Sequence, residues 1–346
     1  MPYIKYFLSS ALLTIFLFIC LNLYIQPLSG DLTRLGNLSE NDFGWNAQQP
    51  VLVLSKQDEI HPNVIVLGDS FSLDNVWQSV VMIKGEYHFL TFHWGDPEHP
   101  EHLESWIVSL KKDYPTIQYV IVETVERSFL HRFNTTQNSA PAEKLPLNKT
   151  ETNCTASKRN IAVSFALSDP NYLVKAIINR KKSFPITTVN GKTFISPLNR
   201  SDLFSNIRSD RLLYYAEDNI KKDWSLDEVR TAVSNIKKIQ DSAKRIGIVF
   251  ILAVVPDKSR MYGKFLRSPQ FDHQTPDVWE ELDKQGINQV DLKNTLNSAV
   301  DQTQDLYLPN DTHLSTKGYM LMGDAVSKRL NEVPSISCTE NPSTKK

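Results

Sequence analysis

The sequence lacks an excess of charge of either sign: 38 Lys and Arg stand against 39 Asp and Glu, for a formal net charge of −1. No global field therefore draws nucleic acid or an anionic surface to the chain, and no nucleic-acid partner is expected. A local basic run such as Arg180-Lys181-Lys182 reads first as a solvated face. Cysteine is scarce as well. Cys20 falls in an apolar stretch, which leaves Cys154 and Cys338 to form one disulfide in an oxidising compartment. Sequence alone does not decide whether those two meet. The histidines His61, His88, His93, His99, His102, His131 and His273 lack the tight paired spacings of zinc sites. No metal and no cofactor is expected.

Formal charge is missing between Lys5 and Asp31, and Tyr6 to Ile25 is almost entirely apolar. About 20 such residues span a bilayer as a helix. Lys5 before the span favours a cytoplasmic N-terminus, with the rest of the chain outside the cytoplasm. A cleaved signal peptide is the competing reading. No good A-x-A site follows the apolar run, and Leu17-Phe18-Ile19 before Cys20 makes a poor lipoprotein signal. The expected organisation is a membrane anchor (or signal peptide) over residues 1–30 and one folded domain over 31–346.

With 41% hydrophobic and 22% charged residues, that domain has an ordinary globular composition. Val64-Ile65-Val66-Leu67, ending in Gly68, reads as a buried parallel strand. A helix is expected over 70–83, a strand over 87–92, a helix over 100–112 and a strand over 119–122. The alternation then breaks. From about 130 to 223 the text is polar and interrupted by Pro141, Pro146, Pro170, Pro185 and Pro197, too long for a plain loop. This reads as an insertion, a lid or substrate-binding subdomain. The pattern resumes with a capping box, Ser225 and Glu228, opening a helix that Gly247 ends. A strand follows over 248–255, then a short helix over 278–284, a short strand at 290–292, a helix at 296–300 and a last helix over 316–330. The fold class is α/β, a three-layer α/β/α sandwich with a parallel central sheet and a long insertion.

Gly68-Asp69-Ser70-Phe71-Ser72 stands where the first strand passes into a helix. A serine there projects from a sharp turn, and its own N–H lies at a helix start that favours negative charge. Serine needs a base to become a nucleophile. Pro309-Asn310-Asp311-Thr312-His313-Leu314 offers one. Two apart in an extended loop, Asp311 and His313 share a side, so the carboxylate can hold the imidazole tautomer while the other ring nitrogen faces Ser70. Each motif alone has a plain structural reading: an N-cap serine, and an aspartate capping the last helix. In a parallel sheet the loop after the first strand and the loop before the last helix can open on one edge.

This arrangement resembles the SGNH hydrolase superfamily, in which a G-D-S near the start meets a late Asp and His. The resemblance runs from about Asn63 to Leu330, leaving aside the insertion. The usual late motif is D-x-x-H, whereas Asn310 stands at that place and the acid is Asp311. The usual G-x-N-D of the third block is replaced by Val122-Glu123-Thr124-Val125-Glu126-Arg127. D-x-H, the E-x-V-E-R stretch and Pro256-Asp257-Lys258 look like the alginate O-acetyltransferase branch. The oxyanion hole then needs donors other than Asn: the Ser70 amide, the Gly95 amide of His93-Trp94-Gly95-Asp96, and Arg127 as a third. Arg127 has two further readings, steering an anionic sugar or pairing with Glu123 or Glu126. Trp94 is read either as a platform for a sugar ring or as core, and Lys258 as a substrate contact. The resemblance implies acetyl transfer to an exported polysaccharide through an acetyl-serine, with a membrane partner supplying acetyl groups and the catalytic domain periplasmic on a single-pass inner-membrane anchor. A carbohydrate esterase, with water as acceptor, and a non-catalytic polysaccharide-binding protein are the alternatives.

Overall fold

The computed structural model describes residues 2–24, 29–94, 103–134, 170–268 and 275–333. Cys154, Cys338 and Gly95 lie outside the described residues, and with them the proposed disulfide and one expected oxyanion donor. The apolar N-terminal stretch forms helix α1, Pro2–Tyr24. Its Tyr3–Leu21 segment is long and apolar enough to cross a membrane.

Among the described residues the central sheet has four parallel strands, β1 (Val64–Gly68), β2 (Phe89–His93), β3 (Tyr119–Val125) and β7 (Val249–Val255), in the order β2-β1-β3-β7. Every residue of β1, β3 and β7 is buried. That is why these strands read as unbroken apolar runs rather than as alternation. Alternate side chains feed two cores. Val64 and Val66 pack with Trp77 of α5 (Val76–Lys84), Leu296 of α12 (Leu292–Ala299) and Met322 of α13 (Thr316–Glu332). Ile65 and Leu67 pack with Trp106 of α6 (Leu103–Asp113), Ile236 of α9 (Leu226–Arg245) and Trp279 of α11 (Val278–Lys284). The result is the expected α/β/α sandwich.

Two expected elements differ. The helix over 70–83 is broken into α4 (Ser70–Leu73) and α5, with Asn75 between them at φ 54°. Ser72 turns its hydroxyl inward to Glu123 and receives Trp77 Nε1–H, while its carbonyl accepts from Gln78. Those inward bonds close off α4 after one turn. The strand at 290–292 is reduced to a bridge of Gln289 to Leu252, because Asp291 caps α12 instead.

In its described residues, 130–134 and 170–223, the segment 130–223 is more regular than its text suggests. It holds α7 (Phe129–Phe133, whose first residue precedes it), α8 (Pro170–Arg180) and an antiparallel sheet of β4 (Thr188–Asn190), β5 (Thr193–Pro197) and β6 (Arg211–Tyr215). Pro197 ends β5 rather than interrupting it, and Pro185 precedes β4. Leu212 and Tyr214 join the main core. Ile195 and Leu213 join a second cluster with Leu32 of α2 (Asp31–Gly36) and Phe43 of α3 (Glu40–Phe43). The polar stretch thus conceals a small sheet packed between the central domain and the chain that follows α1.

Candidate active site

Ser70, His313 and Asp311 are brought together where the carboxyl end of β1 meets the loop before α13. His313 Nε2 lies 2.7 Å from Ser70 Oγ, and Nδ1 lies 2.5 Å from Asp311 Oδ1. With its proton on Nδ1, the imidazole donates to Asp311 and accepts from the Ser70 hydroxyl. Ser70 is exposed, whereas Asp311 and His313 are half-buried. The Phe71 ring packs against the imidazole, with centroids 4.8 Å apart.

Local bonding explains the turn that carries Ser70. Asp69 caps α4 by accepting from the Phe71 N–H at 3.0 Å. Its other oxygen accepts from Arg132 at 3.0 Å and from the Val125 N–H at 3.2 Å. Glu123, fully buried, accepts from the Asp69 N–H and the Ser72 hydroxyl. Burial and the Asp69 charge hold the Glu123 carboxyl well above the usual range. Ser70 therefore stands on a turn fixed from both sides, with its amide at a helix start that leaves such groups unpaired.

The opposing loop is closed by a bridge between Tyr307 and Leu314. The Leu308 N–H donates to the His313 carbonyl, and the Tyr307 hydroxyl donates to the Pro256 carbonyl at 2.6 Å. Burial alone would raise the Asp311 carboxyl, but the hydrogen bond and charge of His313 hold it down at about 2. Burial likewise opposes the imidazolium of His313. The bond and charge of Asp311, with Asp31 and Asp69 adding, outweigh it and raise His313 above the ordinary histidine value. Asp31, Asp311 and His313 could present one ligand atom each to a metal ion. The Nδ1 bond to Asp311 already uses that side of the ring, so the set suits proton transfer better than metal binding.

Three residues expected at the substrate are placed otherwise. Lys258, in α10 (Lys258–Tyr262), is buried and donates to the carbonyls of Leu308, Pro309 and Asp311 at 2.7, 2.9 and 3.1 Å. It props the loop from behind. Burial pushes its amine down to about 7, against the pull of Asp311 and Asp31. Trp94 is buried; its indole N–H donates to the Glu123 carbonyl, and the Arg132 guanidinium lies 4.5 Å from the ring centroid. A sugar has no open face there. Arg127 is ion-paired, but to Asp257 at 2.6 Å and Asp218 at 3.5 Å rather than to Glu123 or Glu126. Glu126 pairs instead with Lys221 and Arg260, at 3.1 and 2.5 Å. These six charges form a mutually compensated network beneath the sheet edge.

Residues 209–344 match the family described as SGNH hydrolase-like domain, acetyltransferase AlgX. Over these residues the chain is similar to an SGNH hydrolase-like domain of the AlgX branch. The match takes in β6, β7 and the Asp311–His313 loop, and it supports a function of acetyltransferase or esterase type. Ser70 lies before the matched residues. No curated protein matches the chain.

Sequence reasoning missed Asp31, Asp69, Glu123 and Arg132 as supports of the site. For Asp69 and Glu123 a signal existed, since both are carboxylates beside a strand end. For Asp31 there was none, because its partners come some 280 positions later.

Proposed function

We propose that the protein is a membrane-anchored O-acetyltransferase acting on an exported polysaccharide through an acetyl-Ser70 intermediate. The observation that carries this reading is the continuous hydrogen-bonded line Ser70 Oγ–His313–Asp311 at 2.7 and 2.5 Å, opening on solvent at the serine. Ser70 Oγ attacks the carbonyl carbon of an acetyl ester as His313 Nε2 takes its proton. The Ser70 N–H, and in this reading that of Gly95, receive the oxyanion. The tetrahedral species collapses, and His313 returns the proton to the departing alkoxide. A sugar hydroxyl then gives its proton to His313 and attacks the acetyl group, and Ser70 Oγ regains a proton as it leaves. Asp311 stays ionised throughout and stabilises the imidazolium.

The proposed organisation keeps residues 1–30 as the anchor and 31–346 as the catalytic domain, with 130–223 facing substrate. Asp31 follows Tyr24 by seven residues, a reach of at most about 25 Å, so the site works close to the membrane surface. A membrane-bound acetyl donor could meet it there. Arg127 steers anionic sugar only if the Asp257 pair opens.

The exposed Ser70 also admits water, which favours the esterase as second reading. The deciding experiment incubates the full chain in detergent with an aryl acetate, with and without oligosaccharide. Intact mass should rise by one acetyl group at Ser70, and the label should pass to sugar. Passage to water alone favours the esterase. Absence of the label, with Ser70→Ala unchanged in turnover, favours the binding protein.

A further inference from the structure

The stretch just after the membrane helix is folded onto the loop that carries Asp311 and His313. It bonds three consecutive residues of that loop. The Asn310 carbonyl accepts from the N–H groups of Leu32 and Thr33, at 3.1 and 3.3 Å. The Asn310 side chain donates to Glu40 at 2.7 Å, and Glu40 also accepts from the N–H groups of Ser29 and Gly30. The approach is so close that a Cβ on Gly30 would lie 2.1 Å from the Asn310 carbonyl oxygen.

Asp31 makes the contacts nearest the chemistry. One carboxylate oxygen accepts from the Thr312 N–H at 2.9 Å and the other from the Thr312 hydroxyl at 2.6 Å. Its own N–H donates to Asp311 Oδ2 at 3.2 Å, the oxygen that does not meet His313. Asp31 thus receives both donors of Thr312, the residue between Asp311 and His313. One Asp31 carboxylate oxygen, one of Asp311 and a ring nitrogen of His313 all lie within 4.8 Å of one another, so Asp31 is held beside the pair as well as against Thr312.

We propose that Asp31 is a positioning residue of the active site, gripping Thr312 and Asp311 so that the imidazole meets Ser70, and adding its negative charge to those around His313. The proposal deepens the catalytic reading above and rests on it. The charged groups around the imidazole are Asp311 on its own loop, Asp31 on α2 and Asp69 before α4, with Lys258 of α10 bonded to the back of the loop. The three carboxylates raise His313 together. Removing one should lower it, and a purely structural contact would leave it unchanged.

The test uses the full chain in detergent, with an aryl acetate as substrate and Asp31→Ala, Asp31→Asn, Asp31→Glu and Ser70→Ala as variants. Asp31→Ala should lower kcat roughly 10–100-fold, as expected for a misplaced base, with KM little changed. Asp31→Asn keeps the backbone N–H to Asp311 but loses the charge. Its acid limb of kcat against pH should move to lower pH by roughly 0.5–1 unit. Asp31→Glu should recover the wild-type limb, at least in part. Wild-type kcat and an unmoved limb in Asp31→Asn, with Ser70→Ala inactive, overturn the role of Asp31 alone. Activity in Ser70→Ala overturns the catalytic reading instead. If Asp31→Ala does not fold, the limb of the near-isosteric Asp31→Asn decides.

Discussion

Glu123 stands where Gly68 has no side chain: a Cβ built on Gly68 would lie 2.8 Å from Glu123 Oε2 and 2.5 Å from the Ser72 hydroxyl. The glycine before the Ser70 turn is needed for space. A methyl group there must displace the carboxylate that accepts from the Asp69 N–H, and with it the turn. Gly68→Ala should cost about 1–3 kcal/mol by overpacking. Ester turnover should fall more than that loss of stability explains. Thermal unfolding and initial rates measured on the same preparation check this, and a variant with unchanged turnover would show that the turn adapts.

Ser70, His313 and Asp311 should behave as a unit. Ser70→Ala and His313→Ala should each lower turnover by roughly 10⁴-fold or more, and the double variant should be hardly worse than either. Asp311→Ala should be severe but milder, since the carboxylate orients the ring and steadies its charge. Steady-state rates on one acetyl ester read all four. Multiplying losses in the double variant would mean that the two residues act separately.

The pH dependence has a definite sign. His313 must be neutral to accept the Ser70 proton, and its environment favours the charged form. Activity should therefore rise with pH through a midpoint above the ordinary histidine value of about 6.5. Asp311, held at about 2, should not titrate in that range. A kcat profile from pH 5 to 9 (an interval chosen to bracket roughly that value) locates the limb. A midpoint well below it would argue against His313 as the base.

Asn310 reads from the sequence as a replaceable neighbour of the acid. The structure buries it completely and gives its amide to Glu40 and Ser29. Asn310→Ala leaves the Glu40 oxygen without that donor, at a cost of about 1–3 kcal/mol. The variant should melt earlier than wild type yet keep far more activity than Asp311→Ala. Loss of activity equal to that of Asp311→Ala at a temperature where it remains folded would place Asn310 in the chemistry itself.

The topology of α1 is tested by a reporter fused after Lys346. One that works only outside the cytoplasm should be active, and one that works only inside should be silent. The opposite pattern would reverse the orientation.

Much of this fold could be read from the text because its strands are buried on both faces. β1, β3 and β7 are continuous apolar runs, and the capping box at Ser225 and Glu228 marks the start of α9. Ser70, Asp311 and His313 drew notice because their residue types sit at a strand end and before a helix. What hid the rest was non-local. α4 stops short because Ser72 turns toward a carboxylate 51 residues away. β5 and β6 are short strands whose Ile195 and Leu213 pack against Leu32 and Phe43, far earlier in the chain. Lys258 reads as a substrate contact because the three backbone carbonyls that hold it leave no trace in a sequence.

The tie between Asp31 and Asp311 spans 280 positions and bears on biogenesis. At roughly 5–20 residues per second, the ribosome needs on the order of 15–60 s to go from one to the other. During that interval Ser70 has no His313 to bond, and Asp31 has neither Thr312 nor Asp311 to hold. The line from Ser70 through His313 to Asp311 can close only once the loop before α13 has emerged. A chain truncated before Asp311 would lack both the hydrogen-bond partner of Ser70 and the loop that Asp31 grips.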